Sequence, residues 1–259
     1  MYNEDCEAGL KKIPPKSIDV VVTSPPYNIG VNYNTYEDDL PFEEYLDWLE
    51  KISVAIERSL KDNGSFFLNI GDKPSDEFRA IRVAMRVAKN FCLQNTIHWV
   101  KHIDILKEEA PNLNEDVHAG HYKPVNSKRY LNNCHEYIFH FTKNNDVKLN
   151  KLANGVPYAD KSNIGRWKHA QQDKRARGNM WFIPYETVQS RKSHPAAFPV
   201  ELPKRCVKLH GFDEDTIVLD PFMGGGSTAI AAKKLGCKFL GFEIDDNYVE
   251  ITRQNLSHD

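Results

Sequence analysis

The chain has 259 residues, 41% of them hydrophobic and 27% charged, with a net charge of -2, the balance of a water-soluble globular protein large enough for one α/β domain with an insertion. No run approaches the roughly 20 apolar residues a membrane span requires, and the acidic start Met1-Tyr2-Asn3-Glu4-Asp5 lacks the basic and apolar regions of a secretory signal. Cys6, Cys92, Cys134, Cys206 and Cys237 are odd in number and never spaced Cys-x-x-Cys, which argues for reduced thiols in a cytoplasm and against a disulfide framework or a zinc site.

After a short lead-in and a loop at Pro14-Pro15, Ser17-Ile18-Asp19 leads into Val20-Val21-Val22, a β-branched run suited to an interior strand of a parallel sheet. Thr23-Ser24-Pro25-Pro26-Tyr27 stops it, because neither proline has an N–H and both fix φ. A stiff turn at the carboxyl end of a parallel strand is where open α/β sheets place ligands. Asn32 to Asp39 reads as a polar, aromatic, mobile loop. Pro41 opens a helix whose inward face carries Phe42, Tyr45, Leu46, Leu49, Ile52, Ile56 and Leu60. Ser65 to Ile70 is the next buried strand, a helix follows from Ser75-Asp76-Glu77 to about Lys89, and Phe91 to Val100 is strand-like. From Lys101 to Arg129 the pattern dissolves, and a gap of that length is usually functional or mobile. His135 to Thr142 alternates imperfectly and is expected as a strand at a sheet edge.

Between Lys148 and Lys192 ten Lys and Arg face three acids, a local net charge of +7 in an otherwise acidic chain. Tyr158, Trp167, Trp181, Phe182 and Tyr185 are interleaved with them, the mixture expected where a surface meets bases as well as phosphates. Lys168, Lys174, Arg175, Arg177, Arg191 and Lys192 are the candidate contacts to a polyanion.

Val200 to His210 is expected as a helix interrupted early by Pro203 and ended by Gly211. A β-α-β-α unit completes the chain: a strand over Thr216–Leu219, a helix over Ser227–Leu235, a strand over Lys238–Phe242 and a helix over Asp246–Leu256. Asp220-Pro221-Phe222-Met223-Gly224-Gly225-Gly226-Ser227-Thr228 forms its first turn, where three glycines let a ligand approach the main chain. Glu243 follows Gly224 by 19 residues, the place of an acid that accepts ribose hydroxyls in nucleoside-binding α/β folds. A nicotinamide-dinucleotide oxidoreductase is the rival reading of this turn, but such a fingerprint normally opens its fold and here a single strand follows it. With so little chain left, the N-terminal strands must complete the sheet, which brings the Pro-Pro-Tyr turn beside the glycine turn.

At this point the chain resembles the β group of S-adenosylmethionine-dependent DNA amino-methyltransferases, over almost its whole length. Ser24-Pro25-Pro26-Tyr27 is similar to the family's catalytic motif and Asp220-Pro221-Phe222-x-Gly224-Gly225-Gly226 to its cofactor motif. Asn3-x-Asp5-Cys6 matches the segment reaching the cofactor's adenine, and His194-Pro195-x-x-Phe198-Pro199 the element lining its methionine end. Asn63-Gly64-Ser65-Phe66 and His135-Glu136-Tyr137 match weaker framework motifs. The resemblance implies a Rossmann-like, circularly permuted α/β methyltransferase sheet, with a catalytic domain over 1–142 and 194–259, a target-recognition insert over 143–193, and 101–130 as a mobile DNA-facing loop. It implies Ser24, Pro25, Pro26 and Tyr27 as catalytic residues. It implies Asp5, Cys6, His194, Pro195, Phe198, Asp220, Pro221, Phe222, Gly224, Gly226, Ser227, Thr228 and Glu243 around S-adenosylmethionine, with S-adenosylhomocysteine as product and no metal.

The chemistry fits the residue types. An exocyclic amine on a base is a poor nucleophile, and acceptors at its N–H bonds, the Ser24 hydroxyl and the Pro25 carbonyl, favour the tetrahedral, charged nitrogen of the transition state. Tyr27 is expected to stack on a base flipped out of the duplex. Ring-carbon methylation of cytosine needs a Cys nucleophile, and no Pro-Cys pair occurs. Serine in the first motif position resembles enzymes acting on cytosine N4, with adenine N6 as the alternative and a catalytically dead DNA-binding module as a further rival. Double-stranded DNA is the expected partner; a homodimer and a cognate restriction endonuclease are the other partners the resemblance allows.

Overall fold

Successive residues of a strand face opposite sides of a sheet, and Val20, Val21 and Val22 are all buried, so their strand is covered on both sides. The computed structural model describes residues 1–31, 33, 35–36, 38–166, 172–184 and 198–258, and builds that strand into the middle of an eight-stranded sheet. In chain order the elements are β1 (Tyr2–Asn3), α1 (Cys6–Lys12), β2 (Ile18–Thr23), α2 (Phe42–Ser59), β3 (Leu60–Ile70), α3 (Arg79–Val87), β4 (Cys92–Val100), β5 (His102–Ile105), β6 (Val117–Gly120), β7 (His135–Thr142), β8 (Met180–Phe182), α4 (Glu201–His210), β9 (Ile217–Asp220), α5 (Ser227–Lys234), β10 (Lys238–Glu243) and α6 (Asp246–His258). The sheet order is β1-β10-β9-β2-β3-β7-β4-β8. Neighbours are parallel except around β7, which runs antiparallel to β3 and β4.

Two apolar cores sandwich the sheet. Val21, Phe66, Leu68 and Ile70 pack on one side with Leu10 of α1, Leu46, Leu49, Ile52 and Ile56 of α2, and Ala80, Val83 and Val87 of α3. Val20, Val22 and Phe67 pack on the other side with Leu202, Cys206 and Val207 of α4 and Ala232 of α5. The helix spacing read from Phe42 to Ile56 is therefore the inner face of α2, with Pro41 just ahead of its first residue, whereas Leu60, expected on that helix, opens β3 and packs into the same core. Pro203 does not interrupt α4: it is the third helical residue, where its missing N–H would have had no acceptor within the helix.

Other expectations change in the tertiary structure. The strand from His135 to Thr142 is interior, because β3 and β4 flank it. Its imperfect alternation reflects burial on both faces, with Ile138 and His140 on one and Phe139 and Phe141 on the other. His140 stacks on Phe67 at 4.4 Å and sits 3.0 Å from both Asn95 and Ser65. Burial, helped by His210, lowers its pKa to about 3, so it is a neutral core residue. The gap after Lys101 contains a hairpin, β5 with β6, whose strands are four residues each. The N-terminal lead-in contains β1 and α1, too short for a periodicity signal. In the proposed insert, β8 pairs with β4. Trp181 is 2% exposed within the second core, and Trp99 Nε1 donates to the Ile183 carbonyl at 2.9 Å. Trp181 is thus a core residue and not a base-meeting one, and Trp167 and Tyr185 lie outside the described residues.

Candidate active site

Two strands decide where a ligand can sit. From β2 the chain moves to β3 on one side, and from β9 it moves to β10 on the other, with β2 and β9 adjacent and parallel through Val20–Val218 and Val21–Leu219. Connections leaving in opposite directions open a crevice at the strands' carboxyl ends. Ser24-Pro25-Pro26-Tyr27 leaves β2 there, and Asp220-Pro221-Phe222 leaves β9 beside it, as the topology argument expected.

The crevice leads into a cavity at the strands' carboxyl ends. Ser24, Pro26, Asp5, Cys6, Pro221, Phe222 and Glu243 line it, joined by Tyr33, Thr35, Tyr36, Trp48, Ile244 and Tyr248, which sequence reasoning missed. Trp48 packs on Phe222 at 5.5 Å and on Tyr36 at 5.9 Å, giving an aromatic wall. The hydroxyl of Tyr36 is buried without a protein partner among the described residues. Glu243 accepts from Gly224 N at 2.8 Å through Oε2 and from Asp245 N at 2.9 Å through Oε1, so it ties the glycine turn to the end of β10. Burial raises its pKa against those backbone donors. Asp5 caps α1, with Oδ1 accepting from Glu7 N at 2.9 Å and Ala8 N at 3.2 Å. The Cys6 thiol is pushed up to about 12 by burial and by the neighbouring Asp5 and Glu7 charges, which makes it an inert wall.

Gly224 and Gly226 take φ values of 51° and 88°, the left-handed region that favours glycine. At Gly226 a Cβ would also meet Thr252 Cγ2 at 2.6 Å. Asp220 is turned inward: it accepts from Thr23 Oγ1 at 2.5 Å, Thr228 Oγ1 at 2.7 Å and Phe222 N at 3.0 Å. Burial raises its pKa to about 6 in spite of those donors. Its carboxylate pins the ends of β2 and α5 to the turn and does not line the cavity. Ser227 Oγ donates to the carbonyl of the buried Phe198 at 2.7 Å. His194 and Pro195 lie outside the described residues.

The Ser-Pro-Pro-Tyr turn is held from several sides. Tyr45 Oη donates to the Pro26 carbonyl at 2.6 Å, and Arg79 Nη1 reaches the carbonyls of Tyr27 at 3.3 Å and Asn28 at 3.0 Å. Among the described residues no donor takes the Pro25 carbonyl. Tyr27 Oη is 2.9 Å from Ser24 Oγ, 2.7 Å from Asn69 Nδ2 and 2.8 Å from Glu136 Oε2. Glu136 also pairs with Lys101. Asn69 and Glu136 are site residues that the sequence did not single out for the pocket. Their signal was only that each sits near the carboxyl end of β3 or the start of its antiparallel neighbour.

The candidate polyanion contacts separate in space. Arg175 is exposed, its backbone paired with Val156, and Lys174 is half-buried. Arg177 turns inward, donating from Nε to the Asn154 carbonyl at 3.2 Å, and burial lowers its pKa. It lines a depression with Asn95, Asn154 and Trp181 beside β8. Four strand spacings separate β8 from β2, roughly 19 Å. Lys168, Arg191 and Lys192 lie outside the described residues.

The chain is 33% identical over 278 residues to the type II methyltransferase M.BglII of Bacillus subtilis, covering 99% of this chain and 68% of that one. It is 27% identical to the DNA adenine methyltransferase YhdJ of Escherichia coli, over 97% and 80% of the two chains. Its fold matches that of the PvuII DNA methyltransferase, a cytosine-N4-specific enzyme, with a TM-score of 0.69 at 20% identity over 98% and 84% of the chains. A family model described as DNA methylase matches residues 18–254, from the first residue of β2 into α6. That span holds every strand of the sheet but β1, both turns and the crevice between them, and the chain belongs to the N6/N4 DNA methylase family.

Proposed function

We propose that this protein transfers the methyl group of S-adenosylmethionine to the exocyclic N4 amine of a cytosine flipped out of duplex DNA. The observation that carries the reading is Ser24: a neutral hydroxyl at the end of β2, on the wall of the cavity that Glu243 and Phe222 also line, one residue before a carbonyl with no protein donor among the described residues.

The cavity fits the cofactor on its own terms. Glu243 uses one lone pair of each carboxylate oxygen on the backbone, which leaves acceptors for two ribose hydroxyls. Phe222 and the exposed Ile244 offer apolar faces for a planar adenine, and the orphaned Tyr36 hydroxyl offers a hydrogen bond within the same cavity. Asp5, Cys6 and Pro221 complete that end. The glycine turn brings main chain close to the ligand, with Gly224 and Gly226 making it sharp and Ser227 and Thr228 opening α5 behind it. Asp220 acts from beneath, holding Thr23 and Thr228. His194, Pro195 and Phe198 are assigned by motif to the methionine end.

When bound, the cofactor supplies an electrophilic methyl on a sulfonium. Ser24 Oγ and the Pro25 carbonyl accept the two N–H bonds of the amine, which draws its lone pair out of conjugation and stabilises the positive charge that nitrogen gains. Pro26, held by Tyr45, keeps that carbonyl in place, and Tyr27 presents its ring to the base. Lys174 and Arg175, with Lys168, Arg191 and Lys192, are assigned to DNA phosphates, and 143–193 to target recognition.

Serine in this position supports cytosine over adenine. Methylating duplex DNA with the purified protein, digesting it to nucleosides and analysing them by mass spectrometry is expected to yield N4-methylcytosine. N6-methyladenine as the sole product overturns the choice of base.

A further inference from the structure

We infer that Glu136 is a positioning residue that sets the direction of the Ser24 hydroxyl by acting through Tyr27. The inference rests on the reading of Ser24 as an acceptor for the target amine. It concerns a group 109 residues from Tyr27 in sequence that reaches the Tyr27 hydroxyl from β7.

Ser24 poses a chemical problem. A hydroxyl can accept or donate, and only its accepting form helps an amine that must be held through its N–H bonds. The surrounding atoms resolve the ambiguity. Glu136 Oε2 lies 2.8 Å from Tyr27 Oη and 2.8 Å from Asn69 Nδ2, while Oε1 pairs with Lys101. The Glu136 side chain is 14% exposed and the Lys101 side chain 16%. Burial disfavours the Glu136 charge, but Lys101 and the donors from Asn69 and Tyr27 prevail, so its pKa lies below the ordinary value. Burial and the Glu136 charge drive the Tyr27 pKa well above its own, so the phenol keeps its proton.

The proton inventory then has one solution. An ionised carboxylate only accepts, and an ammonium and an amide NH2 only donate. Tyr27 has one proton, and the charged Glu136 oxygen is its strongest acceptor. Asn69 Nδ2 donates to the phenol oxygen at 2.7 Å. Toward Ser24, 2.9 Å away, Tyr27 can therefore only accept. Asn69 Nδ2 spends its two protons on Tyr27 and Glu136 and makes only a long 3.4 Å contact with Ser24 Oγ, so Ser24 gives its proton to Tyr27 and keeps a lone pair for the base. A neutral serine thus works beside a carboxylate whose charge reaches it through one phenol.

Glu136→Gln tests this with little change of shape. Lys101 still demands an acceptor, so the Gln carbonyl faces it and the NH2 faces Tyr27. That NH2 also opposes Asn69 Nδ2, 2.8 Å from the same position, so both donors to the phenol's surroundings are upset. The phenol, without its anionic acceptor, turns its proton to Ser24, which turns its own toward the base. Methyl transfer from tritiated S-adenosylmethionine to DNA is expected to lose roughly 10- to 100-fold in kcat while the cofactor KM stays within about 2-fold. Tyr27→Phe, which removes the relay without touching Glu136, is expected to lose roughly 10-fold with the cofactor KM likewise held. In the Tyr27→Phe background Glu136→Gln should then cost less than about 2-fold more. A wild-type kcat in either single variant, or losses that multiply in the double variant as a merely structural role predicts, overturns the inference. Ser24→Ala separates the two levels. If it is as active as wild type, the reading of Ser24 fails and the Glu136 role with it; if it is inactive while Glu136→Gln is not, the Glu136 role alone fails.

Discussion

Asp220 is a carboxylate 1% exposed beneath the glycine turn, and its titration is a property of folding. Its ordinary pKa of 3.8 rises to about 6 in the folded chain because burial outweighs its three donors. A group that binds its proton more tightly when folded contributes stability below its unfolded pKa and loses that contribution as the pH climbs through the folded one. The wild type should therefore lose melting temperature relative to Asp220→Asn, by on the order of 2–4 °C, between about pH 5 and pH 7. Differential scanning calorimetry of both proteins across that range checks it through their difference, since Glu243 and His140 titrate in both. A difference that does not change with pH contradicts the assignment. Legibility at this scale is uneven. The two prolines after Ser24 announce a rigid turn in any context, because they act through their own backbone. The inward turn of Asp220 and the carboxylate behind Tyr27 depend on Thr23, Thr228 and Glu136, each distant in sequence from at least one partner.

The loop between β2 and α2 shows how one element is held over the cavity. Asp38 Oδ1 accepts from Asn28 N at 2.7 Å, its Oδ2 from Ile29 N at 3.1 Å and Val31 N at 3.0 Å, and its own carbonyl from Gly30 N at 2.8 Å. Four successive backbone positions wrapped on one residue carry Tyr33, Thr35 and Tyr36 to the cavity wall. Asp38→Ala leaves those backbone groups to water and is expected to weaken S-adenosylmethionine binding by roughly 10-fold, about 1.4 kcal/mol, measured by isothermal titration calorimetry. Unchanged affinity would mean that the loop needs no such anchor. Helix α2 was legible because its apolar spacing recurs over 18 residues. Strand β7 was legible as a strand and not as an interior one, since burial on both faces blurs the alternation that marks an edge.

Across the whole molecule the basic side chains available to a DNA duplex are unequally placed. Arg175 is exposed and Lys174 half-buried, whereas Arg177 is engaged with the Asn154 carbonyl beside β8, at the opposite end of the sheet from β1. Reversing charge at Lys174 and Arg175 together should weaken DNA binding and flatten its salt dependence by about one unit of log–log slope for each phosphate no longer neutralised. Fluorescence anisotropy over a salt series measures that slope, and an unchanged value places the duplex elsewhere. Charge reversal at Arg177 would mix any DNA effect with impaired packing and is the poorer test. Among the described residues no helix is long and apolar enough to cross a membrane.

Family, α/β class and the two turns that flank the crevice were legible in the residues alone. Prolines, glycines and long periodic helices act within a few residues of themselves, and the order of the motifs carries through any folding. Tertiary packing put β7 inside the sheet, joined β8 to it, buried Trp181 in the core and turned Asp220 toward two threonines. It alone brought Asn69, Lys101 and Glu136 to Tyr27. Those outcomes depend on which strands become neighbours, and strand neighbours are chosen by long-range packing on both faces of the sheet.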